Sequence, residues 1–172
     1  MADPNLSSPS DLALAVAAAW NRLLPFLDGL TEKQARMADD QGWTARDHVA
    51  HIAVWENSVA ILFRGRPRHE ALGISPSFYA EAPFDQINEV IRARLASLSF
   101  DEAKALLAGV HSGLMADVAR LNQAQLNTTV AALFPPAPPS DDRRVIDFVL
   151  ENTAEHYREH QGWMEALLAR RS

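Results

Sequence analysis

The chain contains no cysteine among its 172 residues. Disulfide bonds, thiol nucleophiles and thiolate metal ligands are therefore excluded together. Any metal site in this protein has to be built from histidine, aspartate, glutamate or water.

Basic residues are in the minority. The chain has 16 Lys and Arg against 22 Asp and Glu, and its formal net charge is -6. Nucleic-acid binding rests on Lys and Arg that neutralise phosphates, and no basic stripe is visible. The sequence therefore predicts that nucleic acid is not a partner. The one basic cluster, RGRPRH at residues 64–69, is interrupted by glycine and proline and is predicted to be a solvated loop.

Long apolar runs are also absent. No run approaches the roughly 20 residues that a helix needs to cross a bilayer. The apolar stretch from Leu12 to Trp20 follows Asp3 and Asp11 and has no Lys or Arg before it, unlike a secretory signal. We therefore expect a cytoplasmic protein that does not associate with membranes.

Period-two alternation, the pattern of strands, is scarce, whereas apolar residues recur at helical spacing in four long segments. Ser10 is the predicted N-cap of the first segment, and Thr44 with Asp47 resembles a capping box at the start of the second. The sequence predicts an all-α, four-helix-bundle fold. Residues 1–9 are expected to be a flexible N-terminus and residues 10–172 a single domain.

Histidines stand out on the inward faces of these helices. His156 and His160 are four residues apart, which places them on one helix face with Cβ atoms about 5–6 Å apart. His51 lies on the apolar stripe of the second helix, and His48 shares that stripe. Three neutral imidazoles would leave one position open on a tetrahedral ion, as in catalytic zinc sites. Satisfied core histidines are the alternative, and the helical pattern alone does not choose between His48 and His51.

Other polar and aromatic residues fall near the predicted histidine site. Trp55 and Trp163 either wall a substrate pocket or fill the core. Asn152 precedes His156 by one turn and either contacts a ligand or satisfies its own backbone. Glu56 and Tyr157 are the candidate catalytic groups. Glu56 is either a general base, a supporting group of the site or a solvated side chain, and Tyr157 either orients a ligand or satisfies its own backbone. For His111 a packing or supporting role is expected.

Trp43-Thr44 followed by His51, together with the HxxxH of His156 and His160, resembles the signature of the DinB/YfiT-like four-helix-bundle superfamily. The stretches GWTARDHVAHIAVWE, FDQINEVIRARLASLSFDEAKALL and ENTAEHYREH are most similar to its ClbS/DfsB branch. The resemblance covers residues 10–168. It implies up-down-down-up topology, His51, His156 and His160 as metal ligands, and homodimers.

The resemblance also implies several functions. Superfamily members include metal-dependent transferases and an isomerase that use a low-molecular-weight thiol. The expected protein is a hydrolase or transferase-like enzyme that holds a divalent metal, zinc or nickel, and acts on an electrophilic small molecule. One alternative is a metal-free, ClbS-like self-protection protein that hydrolyses a cyclopropane in a genotoxin. The other is a non-enzymatic bundle that binds a small molecule.

Overall fold

The computed structural model describes residues 8–169, and these residues form helices without any strand. Two isolated bridges, Ala38 with Thr44 and Thr129 with Arg144, are the extended pairings among them. The all-α prediction is confirmed. The helices are α1 Pro9–Asp28, α2 Glu32–Ala35, α3 Ala45–Ala60, α4 Arg68–Leu72, α5 Pro76–Glu81, α6 Phe84–Arg94, α7 Phe100–Val118, α8 Gln123–Leu126, α9 Val130–Leu133, α10 Val145–Leu150 and α11 His156–Ala169.

Four long helices form the bundle: α1, α3, α7 and the continuous run of α10, a π-helical segment at Glu151–Glu155, and α11. His48 contacts His160 while His51 contacts His156, so α3 and α11 are antiparallel. Lys104 pairs with Asp28 while His111 stacks on Trp20, so α1 and α7 are also antiparallel.

The second and third long helices run in the same direction. Arg46, at the start of α3, donates to the carbonyl of Ala96 just before α7, and Glu56 contacts His111 further along both helices. The bundle is therefore up-down-down-up. A parallel pair needs a long crossover, and residues 61–99 provide it with a 3₁₀ turn at Ile61–Arg64 and helices α4, α5 and α6.

Capping boxes fix where three of the four long helices, α1, α3 and α7, begin. Thr44 and Asp47 form the box predicted for α3, and Ser99 with Glu102 forms another at α7. The predicted cap at Ser10 is wrong, because Ser8 caps α1 with Asp11. Pro9 occupies the first helical position, where its fixed φ is favourable and its missing N–H is not needed. Of the predicted flexible segment 1–9, residues 1–7 lie outside the described part of the chain.

The core consists of two apolar clusters. The main one joins α1, α3, α7 and the last helix, with Leu12, Leu23, Leu107 and Phe148 fully buried. The smaller one packs the crossover onto α3 and contains Val54, Trp55, Leu72, Ile87 and Ile91. The crossover is thus a structured wall beside α3. No helix among residues 8–169 is long and apolar enough to span a membrane.

The last helix widens just before His156. Side chains compete for backbone carbonyls there: Asn152 Nδ2 donates to Phe148 O at 2.8 Å, and Thr153 Oγ1 donates to Val149 O at 2.6 Å. Such back-bonding weakens the regular i→i−4 ladder, which accounts for the π-helical turn at Glu151–Glu155. Turns of this kind occur frequently at functional sites.

Candidate metal centre and its cavity

His51, His156 and His160 come together between α3 and α11, with one ring nitrogen of each lying within 4.8 Å of the others. The Nε2 atoms of His51 and His156 are 3.1 Å apart. His156 and His160 occupy successive turns of α11, and their ring centroids are 4.6 Å apart. The structure therefore brings together the three histidines that the sequence singled out as metal ligands.

Burial keeps these imidazoles neutral. Desolvation is the largest cause that lowers the pKa of His51 and His160 well below 6.5, and mutual repulsion among the clustered rings adds to it. Burial, followed by the charge of Arg68, lowers the pKa of His156 to about 4. Neutral imidazoles present lone pairs, which is the protonation state that metal binding requires.

His48 extends the cluster through its contact with His160. Its Nδ1 lies 2.9 Å from Nδ1 of His160, and its Nε2 faces Asp39 Oδ2 at 3.8 Å. Backbone N–H groups of Gln41 and Trp43 hold the other oxygen of Asp39. With its proton on Nε2, toward Asp39, His48 accepts a hydrogen bond from Nδ1–H of His160. The Nε2 lone pair of His160 is then available to a ligand, as is typical of metal-binding histidines.

The donor set fits a divalent transition metal. Two imidazoles on one tetrahedral zinc at about 2.0–2.1 Å have nitrogens about 3.3 Å apart, close to the 3.1 Å between the Nε2 atoms of His51 and His156. No carboxylate belongs to the cluster among the described residues. Histidine-only sites accept several first-row ions, so the geometry is compatible with both zinc and nickel.

The histidines lie in the wall of a cavity of about 1100 Å³. Two of the predicted pocket residues, Trp55 and Asn152, line it together with Trp43, and the third, Trp163, lines it with 49% of its surface exposed. Six carboxylates line the same cavity: Asp39, Asp40, Asp85, Glu89, Glu151 and Glu159. The cavity therefore combines aromatic walls with an acidic lining, and the crossover contributes Arg68, Phe84 and Asn88.

Glu56 and Tyr157 lie elsewhere, in a buried polar group with His111. Tyr157 donates to Glu56 Oε2 at 2.7 Å, and His111 Nδ1 lies 2.9 Å from the Tyr157 hydroxyl and 3.2 Å from Glu56 Oε1. Both Glu56 and Tyr157 are fully buried, and neither lines the cavity. Burial raises the pKa of Tyr157 and keeps it a proton donor. The structure thus does not bring these two predicted catalytic groups to the histidine cluster.

Arg68 is the functional candidate that the sequence interpretation missed. It was assigned to a solvated basic loop, but its guanidinium lies in the cavity, against Ser58 and Asn152. The signal that could have found it is weak. Pro67 precedes Arg68 as the N-cap of α4, so the chain turns back toward α3 at this point instead of continuing outward.

The fold and the histidine cluster define a class of protein, an all-helical bundle with a candidate metal centre beside a ligand-sized cavity. The family model of the DinB superfamily matches residues 15–164. The chain therefore belongs to the DinB superfamily. No curated protein matches it at a significant level.

Solved structures share this fold over nearly the whole chain. ClbS, a colibactin self-resistance protein in complex with double-stranded DNA, has a TM-score of 0.73 at 17% identity, over 95% of this chain and 97% of that one. An uncharacterised protein from Escherichia coli UTI89 has 0.70 at 15% identity, over 96% and 95%. A Streptococcus pneumoniae protein has 0.70 at 17% identity, over 92% and 89%. The resemblance to the superfamily and to ClbS is confirmed.

The ClbS complex also corrects one expectation. Nucleic acid was excluded as a partner because the chain carries a net charge of -6, yet a protein of the same fold is solved with double-stranded DNA. The exclusion was wrong. Net charge is summed over the whole surface, whereas a binding face depends on where a few Lys and Arg lie.

Proposed function

We propose that this protein is a metal-dependent enzyme that acts on an electrophilic small molecule by hydrolysis or group transfer. The observation that carries the proposal is the convergence of neutral His51, His156 and His160 in the wall of a cavity of about 1100 Å³. Cavities of about 300–1,000 Å³ hold drug-sized ligands, so the volume suits a small molecule.

The chain's own residues have distinct parts in this mechanism. His51, His156 and His160 would hold the ion, which would supply Lewis acidity and lower the pKa of a bound nucleophile toward about 7. His48 orients the ring of His160 by accepting its Nδ1–H, and Asp39 faces the opposite nitrogen of His48. Trp43, Trp55 and Trp163 present apolar surface to the substrate and exclude water.

The first experiment is elemental analysis of tag-free protein together with His156→Ala. Near-stoichiometric zinc or nickel in the wild type, and its loss in the variant, is the expected result. His69→Ala is the matched control, because His69 lies in α4 outside the cluster. Absence of metal in the wild type, even after incubation with zinc and with nickel, would sink the proposal.

Two alternative functions can be distinguished from a metal-dependent enzyme by experiment. A metal-free, ClbS-like hydrolase would retain its activity after complete chelation. A non-enzymatic binding bundle would retain a small molecule stoichiometrically without turnover. Three further expectations stay predictions: the use of a low-molecular-weight thiol, a homodimeric state and a cytoplasmic location. Sedimentation analysis tests the homodimeric state.

DNA association is a second candidate function, and the observation that favours it is the similarity to ClbS in its DNA complex. The acidic net charge opposes contact with phosphates. We therefore expect only weak binding, strongest at low salt, in a fluorescence-anisotropy titration of labelled duplex DNA. No change in anisotropy at about 50 mM salt would remove this candidate.

A further inference from the structure

Arg68 carries a positive charge into the cavity and has no close ion pair among the described residues, and the charge of Asp141 acts on it only from beyond 4.0 Å. Its Nε and Nη2 donate to Ser58 Oγ at 3.0 and 2.8 Å, and Nη2 also donates to Asn152 Oδ1 at 2.8 Å. These partners are neutral. Across residues 8–169, no carboxylate oxygen lies within 4.0 Å of its guanidinium nitrogens, whereas Arg143, the other arginine of the cavity, pairs with Asp141 at 2.6 Å and Glu151 at 2.8 Å.

The guanidinium is also held rigidly. Ser58 is fully buried and donates its own proton to Trp55 O at 2.6 Å, so its oxygen faces Arg68 as an acceptor. The amide nitrogen of Asn152 donates to Phe148 O at 2.8 Å, which fixes the amide oxygen toward Arg68. The rings of Trp55 and Phe148 lie 5.3 and 5.0 Å from Cζ. This arrangement keeps the guanidinium in a set orientation before any ligand arrives.

A half-buried cation without a close counter-ion is costly for the protein, and burial lowers the pKa of Arg68 without removing its charge. A ligand anion would supply that close counter-charge. Nε and Nη2 already donate to Ser58 and Asn152, so Nη1 is left to form a charge-assisted hydrogen bond with the anion. The site lies close to the histidines, since Asn152 is one turn before His156 and the charge of Arg68 contributes to lowering the pKa of His156.

The rest of the cavity restricts the kind of anion. Phe84 is 68% exposed and Trp163 is 49% exposed, although both line the cavity. Large exposed aromatic surface at a concave site indicates contact with an apolar ligand body. The six lining carboxylates would repel a ligand with several negative charges. A single anionic group joined to an apolar body satisfies both conditions.

We propose that Arg68 is an anion-recognition residue, and that the cavity takes a small monoanion whose carboxylate or similar group pairs with Arg68 while its apolar body packs on Trp55, Phe84 and Trp163. This inference deepens the proposed function, because it names the substrate class of the same site. It does not require that the histidines hold a metal.

The test compares two isosteric ligands, 2-naphthoate and its neutral amide 2-naphthamide, by isothermal titration calorimetry at pH 7.5. A charge-assisted hydrogen bond contributes about 1.5–3 kcal/mol, so the wild type should bind the carboxylate about 10- to 100-fold more tightly. Arg68→Met should reduce that ratio to about one, while Arg68→Lys, which keeps the charge but loses the fixed planar guanidinium, should give an intermediate ratio. Arg143→Met, a control whose charge is already paired, should keep most of the preference.

Each titration is run on protein as purified and on protein treated with a chelator. A preference for the carboxylate that disappears on chelation would mean that a metal, and not Arg68, binds the anion, and would overturn the inference. Equal binding of both ligands to the wild type, an unchanged ratio in Arg68→Met, or no detectable binding of either ligand would also overturn it. If Arg68→Met does not fold, the ratio of carboxylate to amide affinity in the wild type and in Arg68→Lys still tests the inference. Elemental analysis of the same samples reports separately on the proposed metal centre.

Discussion

His48, His51, His156 and His160 form one cluster, but their ring nitrogens are not equivalent. Nδ1 of His160 has a hydrogen-bond partner in His48, whereas Nδ1 of His51 is buried without one among the described residues. A ring whose second nitrogen is held keeps its tautomer and orientation when it binds a metal. Of His51 and His160, only His160 therefore has a ring whose orientation is fixed through its second nitrogen.

Replacing His48 should weaken metal binding without removing it. His48→Ala deletes the acceptor for Nδ1–H of His160, and losses of such supporting hydrogen bonds cost about 10- to 100-fold in metal affinity. Competition for zinc against a chromophoric chelator measures the change. His48→Gln, whose carbonyl can still accept, is the matched variant and should lose less. Equal affinities in His48→Ala and wild type would show that His48 does not orient the site.

Tyr157 should matter for stability more than for metal content. Tyr157→Phe leaves the fully buried Glu56 carboxylate with His111 as its remaining partner. An unsatisfied buried acceptor costs about 1–3 kcal/mol, which urea unfolding measures as a lower midpoint. Adding Glu56→Gln should cost less than the sum of the two single changes, because the groups interact. A variant that keeps wild-type stability but loses turnover would instead favour the catalytic role that the sequence suggested.

For single residues, the sequence predicted those positions that follow from helical periodicity. His51, His156 and His160 could be placed on inward faces because a helix repeats at a fixed angle. Arg68 could not, because its direction depends on how the crossover packs on α3, a contact between segments far apart in the chain. The separation of Glu56 and Tyr157 from the cavity could not be predicted for the same reason. Helical periodicity shows which face of a helix a residue lies on, but it does not show which other helix that face contacts.

Several helices in this fold begin at a capping box, and the importance of each box should depend on what its helix carries. Thr44→Ala removes the box that starts α3, the helix of His48 and His51, and should cost about 0.5–2 kcal/mol. Thr31→Ala removes the same kind of box from α2, a helix of only 4 residues with one buried side chain, and should cost less. Urea unfolding of both variants tests the difference, and a larger loss for Thr31→Ala would contradict it.

Element length decided which elements could be predicted. The four long helices have stripes of several turns, and the capping box at Thr44 was visible in the sequence. The basic cluster at residues 64–69 was expected to be loop, yet α4 begins at Arg68, and neither α4 nor α5, helices of 5 and 6 residues, was predicted. Helices of one or two turns show too few repeats for periodicity. The π-helical turn was equally invisible, because it follows from side-chain bonds at Asn152 and Thr153.

The whole molecule should lose stability in mild acid when it lacks metal. The folded protein lowers the pKa of His51, His156 and His160, whereas an unfolded histidine has a pKa of about 6.5. The unfolded state therefore takes up protons first as the pH falls. The stabilisation from neutral histidines is fully present above about pH 6.5 and is lost progressively as the pH falls toward the folded pKa, about 4 for His156.

Urea midpoints of chelated protein between pH 7.5 and pH 5 measure this dependence. The midpoint should fall steadily with pH, and it should fall less in His156→Gln, which has one titrating group fewer. Reloading with zinc should raise the midpoint at pH 7.5 and have less effect at pH 5, because protons compete with the ion for the same nitrogens. A midpoint that is constant between pH 7.5 and pH 5 would mean that the histidines take up protons alike in the folded and unfolded states, and would contradict the lowered pKa values.

The clustered histidines and part of the cavity wall come from different segments of the chain, because the crossover between α3 and α7 supplies that part of the wall. The bundle helices supply the four clustered histidines, whereas Arg68, Phe84 and Asn88 come from residues 61–99. Mutation can therefore change one set while leaving the other intact. Exchange of this connecting segment would therefore reshape one wall of the cavity while the histidine cluster on the bundle helices is kept.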